Sequence, residues 1–81
     1  MNKVQKINEY IELYDLYKNV LTESQREVFE AYYFEDLTLQ EIAEDRDVSK
    51  NAVHDSLKKT EQTLVDLEKK IGFLKYKNES K

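Results

Sequence analysis

Residues 38–57 read TLQEIAEDRDVSKNAVHDSL, and this stretch decides the fold. Thr38 and Ser49 are residue types that begin helices, because their hydroxyl oxygens accept hydrogen bonds from free backbone N–H groups. Between them, Ala43 is small enough for two helices to cross closely. Asp47 follows where the chain must turn, and Asp tolerates the left-handed backbone that Gly adopts without steric cost. The stretch therefore predicts a helix-turn-helix.

Apolar periodicity and capping residues predict two further helices before this core and a long extension after it. Thr22 with Gln25, and Thr38 with Glu41, have the spacing of a capping box. We expect helices over about 3–20, from Thr22 to the acidic pair 35–36, from Thr38 to a break at 46–48, and from 50 toward 74. In the helix-turn-helix, apolar side chains should lock the second helix on the first; these are Val48, Val53 and Leu57.

The predicted fold is all-α: a small helix-turn-helix domain, with its core at 38–58, an added N-terminal helix and a long C-terminal helix. We expect one domain over 1–75 and a disordered polar tail over 76–81. Composition agrees, because 37% of the 81 residues are charged, Pro is absent and Gly72 is the one glycine. Strand-based folds need turn residues at short intervals, and this sequence lacks them.

Composition also bears on chemistry. The sequence has no Cys and a single His, His54, so a disulfide or a zinc site is not expected. A single glycine cannot build a glycine-rich phosphate loop. No apolar run approaches the roughly 18 residues that would span a bilayer, and no secretory leader is visible. We therefore expect a cytoplasmic protein that is not an enzyme, with no cofactor, no metal and no membrane partner.

The first helix has more apolar surface than one packing face needs. Beside its main face runs a second apolar stripe, and the last helix continues its apolar steps past the helix-turn-helix. A homodimer would cover both; alternatively, the tyrosine hydroxyls reach water and the ring edges stay exposed. The predicted dimer interface consists of Leu13, Leu16, Val20, Leu67, Ile71 and Leu74.

The outer face of the second helix of the motif is the candidate nucleic-acid interface. Its residues are Ser49, Lys50, Asn51, His54, Lys58 and Lys59. Asp55 lies on the same face and would repel phosphate, and this helix has no Arg, the commonest reader of guanine. Residues 1–47 carry 5 basic and 12 acidic side chains, whereas residues 48–81 carry 8 and 5. A scaffold or a protein-binding fold is an equally consistent interpretation.

Residues 13–17, LYDLY, and 21–61, LTESQREVFEAYYFEDLTLQEIAEDRDVSKNAVHDSLKKTE, resemble the bacterial YlxM family. A more distant resemblance is to the fourth region of sigma factors, which binds promoter elements. The resemblance covers roughly 13–72, and residues 25–44 are its specific part. It implies a small accessory or regulatory protein of the signal recognition particle pathway, which binds the particle's RNA, its protein component or both.

By analogy with the sigma region, the nucleic-acid-contacting face would include Ser49, Lys50, Asn51, His54 and Lys58. Two alternatives stay open. One is a DNA-binding transcriptional regulator that uses residues 49–59. The other is a protein-interaction adaptor that uses the acidic second helix, with Glu23, Glu27, Glu30, Glu35 and Asp36.

Overall fold

The computed structural model describes residues 3–79, with side chains for 7–77 and 79. The elements are α1 (Lys3–Tyr17), a 3₁₀ turn (Lys18–Val20), α2 (Glu23–Tyr33), α3 (Leu39–Arg46), α4 (Lys50–Ile71) and α5 (Phe73–Glu79). Within the described range all regular structure is helical, which confirms the predicted all-α class.

Three helices begin where their capping residues predict. The Thr22 hydroxyl accepts a hydrogen bond from the Gln25 N–H at 3.1 Å, and the Gln25 side chain accepts one from the Thr22 N–H at 3.0 Å. Thr38 and Glu41 form the same reciprocal pair. Ser49 accepts a hydrogen bond from a backbone N–H in the first turn of α4. These caps satisfy N–H groups that a helix start leaves free.

The turn between α3 and α4 has the predicted left-handed residue. Asp47 lies at φ 57° and ψ 46°. The Val48 N–H donates to the carbonyl oxygen of Ala43 at 3.0 Å, which closes the turn. Ala43 and Val53 are buried where α3 packs on α4, but the Val48 side chain is 47% exposed. The prediction that Val48 locks the second helix is therefore wrong, because its amide, and not its side chain, holds the turn.

The core lies between α1, α2 and α4, with Phe29 at its centre. Phe29 is fully buried, and the rings of Tyr14 and Tyr33 each stack on it at 4.3 Å. Leu64 on α4 is fully buried as well. The chain's own helices thus cover much of the apolar surface of α1 that suggested a second copy.

This packing revises the predicted dimer interface. Leu13 and Leu74 are 2% and 8% exposed, so they belong to the chain's own core and cannot lie on an outer surface. Leu16 and Leu67 are half-buried against that core. Val20 and Ile71 are exposed, at 62% and 48%.

Hydrogen bonds between tyrosine hydroxyls and glutamate carboxylates cross the helix interfaces. They link Tyr14 to Glu30 between α1 and α2, Tyr33 to Glu61 between α2 and α4 at 2.5 Å, and Tyr17 to Glu68 between α1 and α4 at 2.7 Å. Burial, followed by the hydrogen bond to glutamate, raises the pKa of each of these tyrosines. The hydroxyls therefore stay protonated as donors in the folded state.

Glu68 also fixes the end of the chain. Gly72 lies at φ 75° and ends α4. The Glu68 carboxylate then accepts hydrogen bonds from the N–H groups of Leu74 and Lys75, both at 3.0 Å. Burial alone would raise the pKa of Glu68, but these bonds and the one from Tyr17 lower it. The carboxylate thus serves as the N-terminal cap of α5.

This capped helix corrects the prediction for the C-terminus. The fourth helix was expected to run toward residue 74, followed by a disordered tail over 76–81. Instead, α4 ends at Ile71 and α5 extends through Glu79. Residues 80 and 81 lie outside the described residues. The helix continues past residue 75 because Leu74 is buried and the first turn is capped.

We predict that Tyr33→Phe lowers the free energy of unfolding by about 1–3 kcal/mol, because it leaves the 9% exposed Glu61 carboxylate without this donor. Urea denaturation measures the change. Tyr32→Phe is the matched control, since the Tyr32 hydroxyl bonds to no residue that the structure describes. The double variant Tyr33→Phe with Glu61→Leu should lose less free energy of unfolding than the two single variants lose in sum. Equal stability of the two tyrosine variants would contradict this role of Glu61.

We also predict that stability falls at alkaline pH. In the unfolded chain tyrosines ionise near pH 10, whereas burial raises the pKa of the folded-state groups, which are Tyr10, Tyr14, Tyr17 and Tyr33. Their stabilisation is fully present below about pH 10 and is lost as the pH rises further, by up to about 1.4 kcal/mol per pH unit for each tyrosine. Urea unfolding between about pH 8 and 11 measures the slope, which Tyr33→Phe should reduce. A flat profile would contradict the prediction.

Candidate nucleic-acid interface

The first part of α4 packs one side against the core and exposes the other side to solvent. Val53 and Leu57 face inward and are 2% and 6% exposed. All six predicted contact residues are exposed: Ser49, Lys50, Asn51, His54, Lys58 and Lys59. At about 100° per residue, positions 50, 51, 54 and 58 fall within an arc of about 100°. Four of the six predicted residues thus share one side of α4, whereas at the same spacing Lys59 lies about 80° beyond Asn51, and Ser49 precedes the helix as its cap.

Ser49 differs from the other members of this face. Its hydroxyl oxygen accepts a hydrogen bond from the Ala52 N–H at 3.1 Å and caps α4. The hydroxyl is thus already engaged in positioning the helix. Lys50 and Asn51 begin the helix beyond it, and their side chains have no hydrogen bond or ion pair among the described residues.

Buried polar residues farther along α4 hold this face in position. Thr60 is fully buried, and its hydroxyl donates to the Ser56 carbonyl oxygen at 2.9 Å. The next residue, Glu61, accepts the hydrogen bond from Tyr33. In sequence Thr60 only interrupts the apolar pattern, and Glu61 is indistinguishable from a surface carboxylate. The Thr60 bond lies within α4, and the Glu61 bond links α4 to α2.

The electrostatics of the motif are mixed. Residues 38–59 contain four basic side chains and five acidic ones, a net charge of −1. Asp55 is 85% exposed in the middle of the face, and the His54 Nδ1 atom lies 3.7 Å from its Oδ1 atom. Counterion release from many phosphate contacts would need a larger cationic surface. Nucleic acid bound at this face would therefore be held by a few local contacts.

The one arginine of the motif points away from this face. Arg46 donates from Nη1 to the Glu27 carboxylate at 2.9 Å and from Nη2 to the Ser24 hydroxyl at 3.0 Å. It thereby ties the end of α3 to α2. Bidentate reading of guanine by arginine is thus absent from the described surface of α4, which has no Arg.

The acidic residues of α2 are partly used within the chain. Glu27 pairs with Arg46, and Glu30 accepts the hydrogen bond from Tyr14. Glu23 and Glu35 are exposed, and so is Asp36, which follows α2 at φ 60°. The surface available to a protein partner is therefore smaller than the sequence suggests.

A cleft beside α4 was not predicted. It has a volume of about 560 Å³ and lies between α1, the end of α2 and the starts of α3 and α4. Its lining includes Tyr32, Leu37, Leu39 and Lys50. The tyrosine pair at 32–33 gave no indication of it, because the cleft forms only when separate helices meet.

No cluster of three or more His, Cys, Asp or Glu side chains in residues 3–79 is arranged to hold a metal ion. Over the same part of the chain, no helix combines the length and the apolar character needed to cross a membrane.

Comparison with known proteins identifies the family. Residues 4–81 match a family described as helix-turn-helix proteins, YlxM / p13 like. The chain is 49% identical to a UPF0122 protein of Desulforamulus reducens, over 100% of this chain and 68% of the relative. It is 47% identical to one from Mycoplasma capricolum subsp. capricolum, over 96% and 68%.

A third relative, from Thermoanaerobacter, is 48% identical over 78% of this chain and 54% of its own length. The chain thus spans about half to two thirds of these relatives. The matched residues include α2, the motif and the tyrosine–glutamate pairs, which make up the fold and the candidate interface. The chain belongs to the UPF0122 family of YlxM / p13 like helix-turn-helix proteins.

Proposed function

We propose that this protein is a non-enzymatic, cytoplasmic accessory protein of the signal recognition particle pathway. It binds the particle's RNA, its protein component or both through the helix-turn-helix. The pathway comes from the resemblance to the YlxM family. The observation that carries the binding role is the exposed face of α4 at residues 49–59, held on a framework of part-buried tyrosine–glutamate bonds.

RNA suits this face better than duplex DNA. Reading a DNA major groove relies on bidentate side chains, above all Arg, and on phosphate contacts that hold the helix in the groove. This face has Lys50, Lys58 and Lys59 but also the exposed Asp55. RNA is recognised through loops and unpaired bases as well as through its backbone, so a few lysines and an amide are sufficient.

The second candidate is a DNA-binding transcriptional regulator. It is favoured by the position of Lys50 and Asn51 at the start of α4, because the first residues of a recognition helix contact base edges in helix-turn-helix complexes. A protein-interaction adaptor is the third candidate, with Glu23, Glu35 and Asp36 as its exposed acidic residues.

The hydroxyl groups near the motif support a non-enzymatic role. Ser49 caps α4, and Ser24 accepts a hydrogen bond from Arg46. Neither serine bonds to His54, the single histidine, so no activated nucleophile is formed there.

The homodimer is part of this proposal. Val20 and Ile71 lie at the same end of the molecule, where Tyr17 bonds to Glu68, and both are exposed. The double variant Val20→Glu and Ile71→Glu should therefore convert a dimer to a monomer in light scattering. Val48→Glu, which adds one negative charge at an exposed valine of the turn, should leave the molar mass unchanged. A wild-type monomer at high concentration would overturn the dimer.

We predict that replacing both Lys50 and Lys58 with Ala weakens binding to the particle's RNA about tenfold or more, because two phosphate contacts are lost. The plot of log affinity against log salt should become shallower by up to about 1.4 for single-stranded contacts. Fluorescence anisotropy over a salt series measures both quantities.

Lys69→Ala with Lys70→Ala is the matched control, because it removes the same charge from the exposed far end of α4. Mixed duplex DNA and the particle's purified protein are the other labelled partners. Tight binding to DNA alone would favour the transcriptional regulator. RNA binding that is unchanged in the Lys50 and Lys58 variant would overturn the proposed interface.

A further inference from the structure

We propose that the cleft beside α4 binds an unpaired RNA base, which stacks on the ring of Tyr32 while Lys50 contacts the adjoining phosphate. This inference rests on the proposed function and names the feature of the RNA that the protein reads. Tyr32 and Lys50 line the same cleft, although 18 positions separate them in the sequence.

The cleft has suitable size and walls for a base. Its volume of about 560 Å³ lies within the roughly 300–1,000 Å³ that is common for ligand sites. Ile7 from α1, Leu37 before α3 and Leu39 from α3 supply apolar walls. Leu37 and Leu39 are only half-buried, so a flat aromatic ligand would cover apolar surface that now faces water.

The Tyr32 ring is held ready for stacking. It is 38% exposed and packs edge-to-face on Tyr33, with centroids 5.1 Å apart and planes at 82°. Tyr33 in turn stacks on Phe29 and bonds to Glu61. Tyr33, the ring on which Tyr32 packs, is therefore held from two sides.

The polar groups around the cleft determine how a strand would enter. Among the residues whose side chains the structure describes, Lys50 is the one basic residue in the lining, and it leads to Asn51 and Lys58 on the outer face of α4. Asp36 also lines the cleft and would repel phosphate, so the backbone should pass on the Lys50 side. A base edge that offers N–H donors suits the Asp36 carboxylate.

Gln40 adds a further polar group to the lining. Its side-chain nitrogen donates to the Glu44 carboxylate at 3.1 Å, which orients the amide. Its carbonyl oxygen bonds to no residue that the structure describes. A base paired in a duplex cannot enter such a cleft without leaving its stack, so the site selects unpaired nucleotides.

The test compares a hairpin RNA with an unpaired loop and a fully paired duplex RNA of the same stem. Tyr32→Ala should weaken binding of the hairpin about tenfold or more, because a base–aromatic stack is worth about 1–3 kcal/mol. Duplex binding should not change. Tyr32→Phe keeps the ring and should bind as wild type does, and Tyr76→Ala removes a 73% exposed tyrosine outside the cleft as a matched control.

A second measurement reports stacking directly. With 2-aminopurine at a loop position, the wild type and Tyr32→Phe should quench its fluorescence, whereas Tyr32→Leu should not. Urea denaturation of each variant shows whether the fold is retained. If Tyr32→Ala unfolds, the quenching assay tests the base site instead: quenching by Tyr32→Phe but not by Tyr32→Leu supports it, and equal quenching by the two variants overturns it.

The outcomes separate this inference from the proposed function. If Tyr32→Ala binds the hairpin as wild type does, while the Lys50 and Lys58 variant binds weakly, the base site is overturned and the RNA interface stands. If no RNA binds the wild type, both are overturned. If the Tyr32 variants lose only their binding to the particle's protein, the cleft is a protein-docking site and the base site is likewise overturned.

Discussion

The hydrogen bond from a buried or half-buried tyrosine to a glutamate carboxylate is the interaction on which the arrangement of these helices depends. It recurs where α1 meets α2, where α2 meets α4 and where α1 meets α4. A carboxylate is costly to bury without a donor, so each bond favours one relative position of its two helices. Glu68 fixes α5 in the same way, because its carboxylate accepts the hydrogen bond from Tyr17 and also caps that helix. Domains of this size bury little apolar surface, and such directional bonds add specificity to a small core.

Local rules predict much of this fold. Capping residues located the starts of α2, α3 and α4, and the Asp47 turn followed from backbone preference. The errors arise where tertiary packing decides. Leu13 and Leu74 have the same pattern whether a partner or the chain's own helices cover them, so periodicity alone could not assign them to the core. The helix after Gly72 depends on a carboxylate from the preceding helix, which no local capping pattern reveals.

The candidate interface, like the fold, was predictable in part from the sequence. The face of α4 follows from the helix-turn-helix pattern, and its members are exposed as expected. The cleft was not predictable, because it combines side chains from α1, α2, α3 and α4. Arg46 shows the converse effect: arginine is a residue type that binds phosphate, but in the structure Arg46 pairs with Glu27. A mildly charged face beside a preformed aromatic cleft favours recognition of nucleotide shape and stacking over charge alone.

The proposed RNA-binding surface is continuous from the start of α4 to the cleft at Tyr32. Nuclear magnetic resonance mapping of the ¹⁵N-labelled protein, titrated with the signal recognition particle RNA, tests it most directly. We expect chemical-shift changes concentrated at residues 49–59 and around Tyr32, Leu37 and Gln40, with α5 and the outer face of α2 unaffected. Changes concentrated at Glu23 and Glu27, or no changes at saturating RNA, would contradict it.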